Sequence, residues 1–406
     1  MMNDLVGFIS ISLVSLIVIY QGLKFPSVSK ILLVALIVRI IFILIGHYFI
    51  TLPDSTKDAA GFENLAWSWA QSGFLNAFNN FPGYNSFFYP WIISLLYSVF
   101  GRSILMVQSL SLLFGVGSVY LGWLLAKKLW NNSIAIKVGW LLALFPSLIL
   151  YSILPLREVY GSFFLLLATF GVVNWVKDGG NKSIILAISS FIGASFFHGA
   201  LLIGGIFFCL IIGLANFKKS YKLILNKRIS LSALLLIIIS LIFLILLLSN
   251  KIYIPYITTF EESPSIDWFL EIISRRMKGD ASYPEWTRIN SGIEIFYKGL
   301  ARIAYFLFSP LPWDVKKLTH LVGMFDGFLY MSIVYLVFLN IKVIWKDPAL
   351  RIILLILSIY LFIFGIGVSN FGAGLRHRSK FVIEMILLAA PLIPRLYLFK
   401  KKLKSN

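Results

Sequence analysis

The chain has 406 residues, is 59% hydrophobic and only 13% charged, and carries a formal net charge of +19. With a mean hydropathy of +0.89 it is too apolar for a water-soluble globular domain, which must present polar side chains to its solvent. Its apolar runs approach the roughly 20 residues that cross a bilayer, so the class is an all-α polytopic membrane protein.

The single cysteine, Cys209, excludes a disulfide framework or a cysteine-based metal site within one chain. Nucleic acid is not the expected partner of the positive charge. The basic residues sit in short turns between apolar runs: Lys24 and Lys30; Lys127 and Lys128; Lys218, Lys219, Lys222, Lys227 and Arg228; and the tail "FKKKLKSN". That is positive-inside patterning, and membrane orientation accounts for it.

In chain order the apolar runs predict eleven spans: 5–22, 31–51, 103–126, 135–154, 159–176, 183–197, 200–216, 229–250, 320–341, 351–369 and 381–398. The first lacks the basic start and small-residue cleavage site of a signal peptide and is expected to remain as an anchor. This count places the N-terminus outside and the C-terminus in the cytoplasm. The segment 86–100, "SFFYPWIISLLYSVF", is short and opens on Tyr-Pro. Counting it as a span would move Lys127, Lys128 and "FKKSYKLILNKR" outside, so it reads as an outer juxtamembrane or re-entrant helix. The stretch 298–311 reads the same way, because "FSPLPW" breaks a helix. Two long outer segments result, 52–102 and 251–319. The second holds nine basic and eight acidic residues and is expected to fold as a small cap. Neither an internal repeat nor a low-complexity linker divides the chain, so residues 1–406 form one domain.

The outer acids carry the functional question. In "DAAGFENLAWSWAQSGF", Asp58 precedes Phe62, Leu65, Ala66 and Trp69, a spacing that makes one apolar helix face. Trp67 and Trp69 suit the membrane interface, and Gly73 would end the helix. Asp58 then falls at the N-cap, where capping alone is one explanation of it. Glu158, in "PSLILYSILPLREVYG", lies on the same membrane face, where pairing with Arg157 is the bland reading. Two carboxylates on one face can also share a metal or divide base and orienting roles. His198 stands where a short outer hairpin turns, and a lone histidine there reads first as a satisfied interfacial one. In "GAGLRHRSK", Arg376, His377, Arg378 and Lys380 lie outside, against the charge rule. Either they pair with acids of the cap or they hold phosphate, for which arginine has the matching fork.

The pattern Asp58, Phe62, Leu65-Ala66 and Gly73 resembles the first outer loop of the C-type glycosyltransferases that use polyprenyl-phosphate sugars. These are the relatives of the protein mannosyltransferases and aminoarabinose transferases. "FFYPWIISLLYSVFGRS" resembles that family's proline-containing juxtamembrane segment, and "LFPSLILYSILPLRE" its proline-to-acid segment. The similarity runs along roughly residues 31–216. The C-terminal half matches in outline, through "FLFSPLPW" and "GLRHRSKFVIEMILLAAPLIP". Relatives often have a lysine where this chain has His198. "FFHGALL" and the "RHR" cluster are also similar to membrane polymerases of repeat-unit polysaccharides.

The resemblance implies a GT-C-like fold in the bacterial plasma membrane, with Asp58 as catalytic base and Glu158 as second acid. It implies inverting transfer of a sugar from a polyprenyl phosphate to a glycan, lipid or protein acceptor at the extracytoplasmic face. Arg376 and Arg378, with His377 and His198, would bind the lipid phosphate. In some relatives a divalent cation, magnesium or manganese, bridges the positions of Asp58, Glu158 and phosphate. Two other readings stand beside this one. A polymerase of lipid-linked oligosaccharides needs the same leaving-group chemistry. A transporter or lipid-carrier flippase would use Asp326 and Glu384 within the spans.

Overall fold

The computed structural model describes residues 2–83, 87–225, 273, 277 and 279–394. The regular elements among them are helices, joined by one isolated bridge between Ser282 and Asn370.

α1 (Met2–Lys24) and α2 (Pro26–Tyr48) form a hairpin. Pro26 opens α2, where its missing N–H costs no helical bond. His47, near the end of α2, lies 3.7 Å from Asp4 at the start of α1, so the pair is antiparallel. A π turn (Ser55–Ala59) leads into α3 (Ala60–Ala70), followed by the short α4 (Phe74–Asn79) and then α5 (Phe88–Phe100). α6 (Ile104–Leu129) starts at Ser103, whose Oγ accepts from the Met106 N–H at 3.3 Å. α7 (Asn132–Leu144) is capped by Asn131, whose Oδ1 accepts from the Ile134 N–H at 3.0 Å. Pro146 stops α7 and opens α8 (Pro146–Tyr151).

α9 (Glu158–Asp178) and α10 (Asn181–Phe197) pack very closely. A Cβ at Gly171 would lie 2.6 Å from the Ala187 nitrogen, so only glycine lets these backbones meet. α11 (Leu202–Leu225), α12 (Glu294–Phe308), α13 (Leu318–Leu339), α14 (Ile341–Lys346) and α15 (Pro348–Gly367) follow. The short α16 (Phe371–Arg378) and α17 (Val382–Ala389) come last. Asp347 caps α15, its Oδ1 accepting from Ala349 N–H at 2.8 Å and Leu350 N–H at 3.1 Å.

Six helices among the described residues are long and apolar enough to cross a membrane: Asp4–Lys24, Pro26–Tyr48, Ile104–Leu129, Glu158–Asp178, His320–Leu339 and Pro348–Gly367. The runs predicted at 135–154, 183–197, 200–216 and 381–398 appear as shorter apolar helices, Asn132–Leu144, Asn181–Phe197, Gly199–Ala215 and Val382–Leu392. The first of these is shortened by Pro146. The predicted span 229–250 lies outside the described residues, as does much of the segment 251–319. α5, at 13 residues, has less than membrane length, and α12 stops at Phe308, before "SPLPW".

The helix ends sort polar contacts to two sides of the bundle. On one side Lys128 pairs with Asp178, and Lys137 donates to the Ile393 carbonyl at 2.7 Å. On the other lie the start of α9, α16 and the residues before α12. These last are tied to the end of α15 by Arg302, which is fully buried. Its guanidinium donates to the Ile366 and Val368 carbonyls at 2.8 and 2.7 Å and to Ser369 Oγ at 2.9 Å. Arg39, on α2, points into the bundle and is paired there. It is 1% exposed and donates to Ser152 Oγ at 2.8 Å and to the Ala143 carbonyl at 3.0 Å. Gly115 on α6 makes room for this contact, since a Cβ there would lie 2.4 Å from Ser152 Cβ.

Candidate functional site

Asn370 sets the site up. Its Oδ1 accepts from the Ala373 N–H at 2.8 Å and starts α16. The chain before it is held by Phe371 N–H donating to the Ala281 carbonyl at 2.9 Å and Tyr283 N–H to Ser369 O at 3.0 Å. α16 then presents Arg376 and His377 at its end, with Lys380 two residues beyond His377's neighbour Arg378.

Arg376 is the centre of the cluster. Its Nη1 pairs with Asp58 Oδ2, and its Nε lies 3.4 Å from Glu158 Oε1. Glu158 is 1% exposed, and neither carboxylate oxygen accepts a hydrogen bond. Lys380 Nζ is 3.7 Å from the same Oε1, and Arg157 precedes Glu158 with its guanidinium 5.5 Å over the Phe62 ring. A carboxylate stripped of water costs several kcal/mol unless opposite charge surrounds it, and here Arg376 and Lys380 supply that charge. Beside Glu158 a cavity of about 20 Å³, lined by Arg39, Tyr151, Ser152, Ser162 and Ser379 among others, has room for a water.

Burial lowers the proton affinity of Arg376, but the nearby Glu158 and Asp58 carboxylates outweigh it and hold Arg376 above its ordinary value. Lys380 behaves differently. Burial dominates, only partly offset by Glu158 and reinforced by Arg157, and pushes it down to about 7. Its Nζ lies 2.6 Å from His377 Nδ1. Burial, then the Lys380 charge, holds His377 well below the usual histidine range. His198 joins from α10, its ring centroid 5.2 Å from that of His377 and 4.9 Å from Phe364.

Asp58 is not a helix cap. The helix turn begins earlier than the spacing implied, as a π turn from Ser55, and the residue before α3 is Ala59, which makes no side-chain cap bond. Asp58 projects from that turn, its side chain 53% exposed, onto Arg376. Asp54, four residues earlier, is held in the left-handed region at φ 61°, which Asp tolerates better than most residues. Its Oδ2 accepts from Tyr151 Oη at 2.9 Å. Burial raises its proton affinity, opposed by the Tyr151 hydrogen bond and by Arg376.

Of the residues singled out in the sequence, Asp58, Glu158, Arg376, His377 and His198 are brought together. Arg378 is not with them. It is fully buried and turned to the other side of α16. Its Nη1 donates to the Leu307 and Ser309 carbonyls at 2.8 and 2.7 Å, and its Nη2 to Asp326 Oδ2 at 2.8 Å. Adjacent helix positions point in different directions, so "RHR" splits between site and core. Lys380 and Arg157, both named among the outer charges of the sequence, belong to the site, and Asp54 and Tyr151 join them. Lys380 and Asp54 were legible as charged neighbours of the marked residues; nothing in the pattern distinguished Tyr151.

The Arg376 guanidinium bridges the Asp58 and Glu158 carboxylates, the position at which the resemblance implies a shared divalent cation. No group of three or more metal-ligating side chains occurs among the described residues.

Comparison with protein-family models, curated proteins and solved structures finds no match to the chain.

Proposed function

We propose that the protein is an integral membrane glycosyltransferase that moves a sugar from a polyprenyl phosphate to an acceptor hydroxyl, with inversion. The observation that supports this most is the bridge from Asp58 through Arg376 to the buried Glu158. It joins an exposed base to a cation held in place from behind. Lys380 and Arg157 add positive charge at the same spot. Such a cluster suits a group that gains negative charge as it departs.

An apolar groove supports a lipid-linked donor. Its volume is about 340 Å³, and its lining includes Phe88, Tyr89, Phe114, Tyr160, Phe196 and Phe197. Tyr89, which lines the groove, lies within electrostatic reach of Glu158, so a chain in this groove would carry its phosphate toward the cations.

In the proposed reaction the acceptor oxygen attacks the anomeric carbon and the bond from that carbon to the phosphate oxygen breaks. The acceptor proton passes to Asp58. The departing polyprenyl phosphate takes the electron pair and is stabilised by Arg376, Lys380 and Arg157. Phosphate competing for Arg376 would release Asp58 from its ion pair and free it to act. Glu158 keeps Arg376 in place throughout. The site would face the extracytoplasmic side, with the lysine-rich turns in the cytoplasm.

The transporter reading rests on Asp326 and Glu384. Asp326 is taken by Arg378, and Glu384 lines a cavity of only about 10 Å³. A polymerase would share the leaving-group chemistry and differ in its acceptor. The test is incubation of the purified protein with polyprenyl-phosphate sugars, following free polyprenyl phosphate. Its release supports transfer; none with any donor removes the proposal.

A further inference from the structure

A cleft of mixed polar and apolar lining opens next to this cluster, with a volume of about 400 Å³, within the roughly 300–1,000 Å³ of small-molecule sites. We propose that it binds an uncharged, hydroxyl-rich ligand, a neutral saccharide unit of the acceptor. The assignment to an acceptor rests on the transferase reading; the binding itself does not.

The cleft is built from helix faces. Ala60, Glu63 and Asn64 lie together on α3, and Ile104 and Gln108 lie one turn apart on α6. Arg102, in the link between α5 and α6, joins them. Its Nε donates to Glu63 Oε1 at 2.9 Å, and its Nη2 donates to Glu63 Oε2 at 2.6 Å and Asn64 Oδ1 at 2.7 Å. Tyr97 Oη donates to the same Glu63 Oε1 at 2.8 Å. Glu63 is 5% exposed, and Arg102 and Tyr97 hold it in place.

Charge argues for a neutral ligand. The Glu63 carboxylate neutralises Arg102, and His47, the other ionisable side chain of the lining, lies 3.7 Å from Asp4, leaving no surplus cation of the kind that Arg376 and Lys380 provide next door. What remains is hydrogen-bonding capacity of both kinds. Arg102 Nη1 is not used in the contacts to Glu63 and Asn64. The Asn64 amide N–H groups are left as donors, because its oxygen is the atom that Arg102 takes. Gln108 is 5% exposed, donates its Nε2–H to the Ile153 carbonyl at 2.9 Å, and has no partner for its Oε1. A buried amide oxygen without a donor is costly, and a ligand hydroxyl supplies one. Donors and acceptors side by side, without net charge, match the hydroxyls of a sugar, each of which both donates and accepts.

Position makes the cleft an acceptor site. Ser55 lines it, and Asp58 lies three residues on in the same π turn, against Arg376. Pro155 lines it, and Glu158 follows three residues later. The turn Ser55–Ala59 therefore stands between the cleft and the cation cluster, with the proposed base on that boundary.

The experiment uses the full chain in lipid nanodiscs, free of sugar-headed detergent. Methyl glycosides of neutral hexoses and neutral disaccharides are titrated by saturation-transfer NMR, with inorganic phosphate as the anionic probe. The wild type should bind a neutral saccharide. Gln108→Leu and Asn64→Leu should each weaken it about tenfold, the scale of one lost hydrogen bond, and leave polyprenyl-phosphate binding unchanged. Asn64 is exposed, so its substitution tests the cleft even if Gln108→Leu does not fold. Absence of saccharide binding, binding indifferent to both substitutions, or preference for phosphate each overturns the proposal. Saccharide binding without release of polyprenyl phosphate from any donor leaves the cleft standing and removes the transferase. Release with an acceptor KM unchanged in both variants does the reverse.

Discussion

Arg376 Nε lies 3.4 Å from Glu158 Oε1, and Glu158 is 1% exposed. The two residues are far apart in sequence, yet each explains the other: the carboxylate is tolerable only beside the cation, and the cation is aimed by the carboxylate. Glu158→Gln should therefore leave Lys380 without its carboxylate and Arg376 with Asp58 alone, so that the two cations are less well compensated. We expect a destabilisation of about 3–5 kcal/mol, the scale for breaking a buried pair, together with loss of activity. Thermal melting of the purified variant measures the first. An unchanged melting curve would mean that the pair is not structural.

Arg376 and Arg378 are expected to separate by function. Arg376→Lys should weaken lipid-phosphate binding by about ten- to a hundredfold, since charged hydrogen bonds of about 1.5–3 kcal/mol depend on the guanidinium fork. Arg378→Met should leave Asp326 uncompensated and cost about 3–5 kcal/mol of stability. Donor binding and melting, measured on both variants, distinguish the roles. Equal losses of donor binding in folded protein would return Arg378 to the phosphate site.

Lys380 gives two opposite pH trends. Its folded-state value is pushed down to about 7, against an ordinary value of about 10.4. Below pH 7 both states are protonated, and the fold carries the full cost of burying the charge. Between about 7 and 10.4 the unfolded state holds the extra proton, so this contribution raises stability as pH rises. Donor binding should move the other way, weakening above pH 7 as a cation leaves the phosphate. Lys380→Met should remove both slopes. Parallel slopes in wild type and variant would place the titration elsewhere.

Orientation is tested by cysteine labelling in a Cys209→Ser background. Cysteines at the exposed positions Ser68 and Ser291 should react with an impermeant thiol reagent in intact cells. One at the exposed Lys182 should not. Labelling at Lys182 without Ser68 would invert the topology.

The apolar runs made the helical class and most helix positions legible, because lipid-length hydrophobicity is a local property of the chain. Span number was less so. Pro146 divides one expected span into α7 and α8, and the helices at Asn181–Phe197 and Val382–Leu392 are shorter than a usual crossing. At the site, Asp58, Glu158 and Arg376 stood out as charges on one face. Their contact did not, because it depends on how α16 folds back beside the π turn. The expected cap at Asp58 failed for a local reason: a π turn and an α-helix start look alike in apolar spacing. Arg378 was misplaced because type and neighbourhood do not reveal which side of a short helix a residue takes. Tyr151, next to Asp54, had no signal apart from being a tyrosine near a span end.

The most direct measurement of the central claim compares Asp58→Asn with Asp54→Asn in release of polyprenyl phosphate from a bound donor. Neither should unfold the protein. Asp58 makes no cap bond, and asparagine at 54 tolerates positive φ and still accepts from Tyr151. An amide cannot take the acceptor proton, so Asp58→Asn should bind donor and turn over about 10²–10⁴-fold more slowly, while Asp54→Asn keeps most of its activity. If Asp58→Asn works at the wild-type rate and Asp54→Asn does not, the base is Asp54. If both retain full activity, the Asp58–Arg376–Glu158 bridge is structural and the mechanism is wrong.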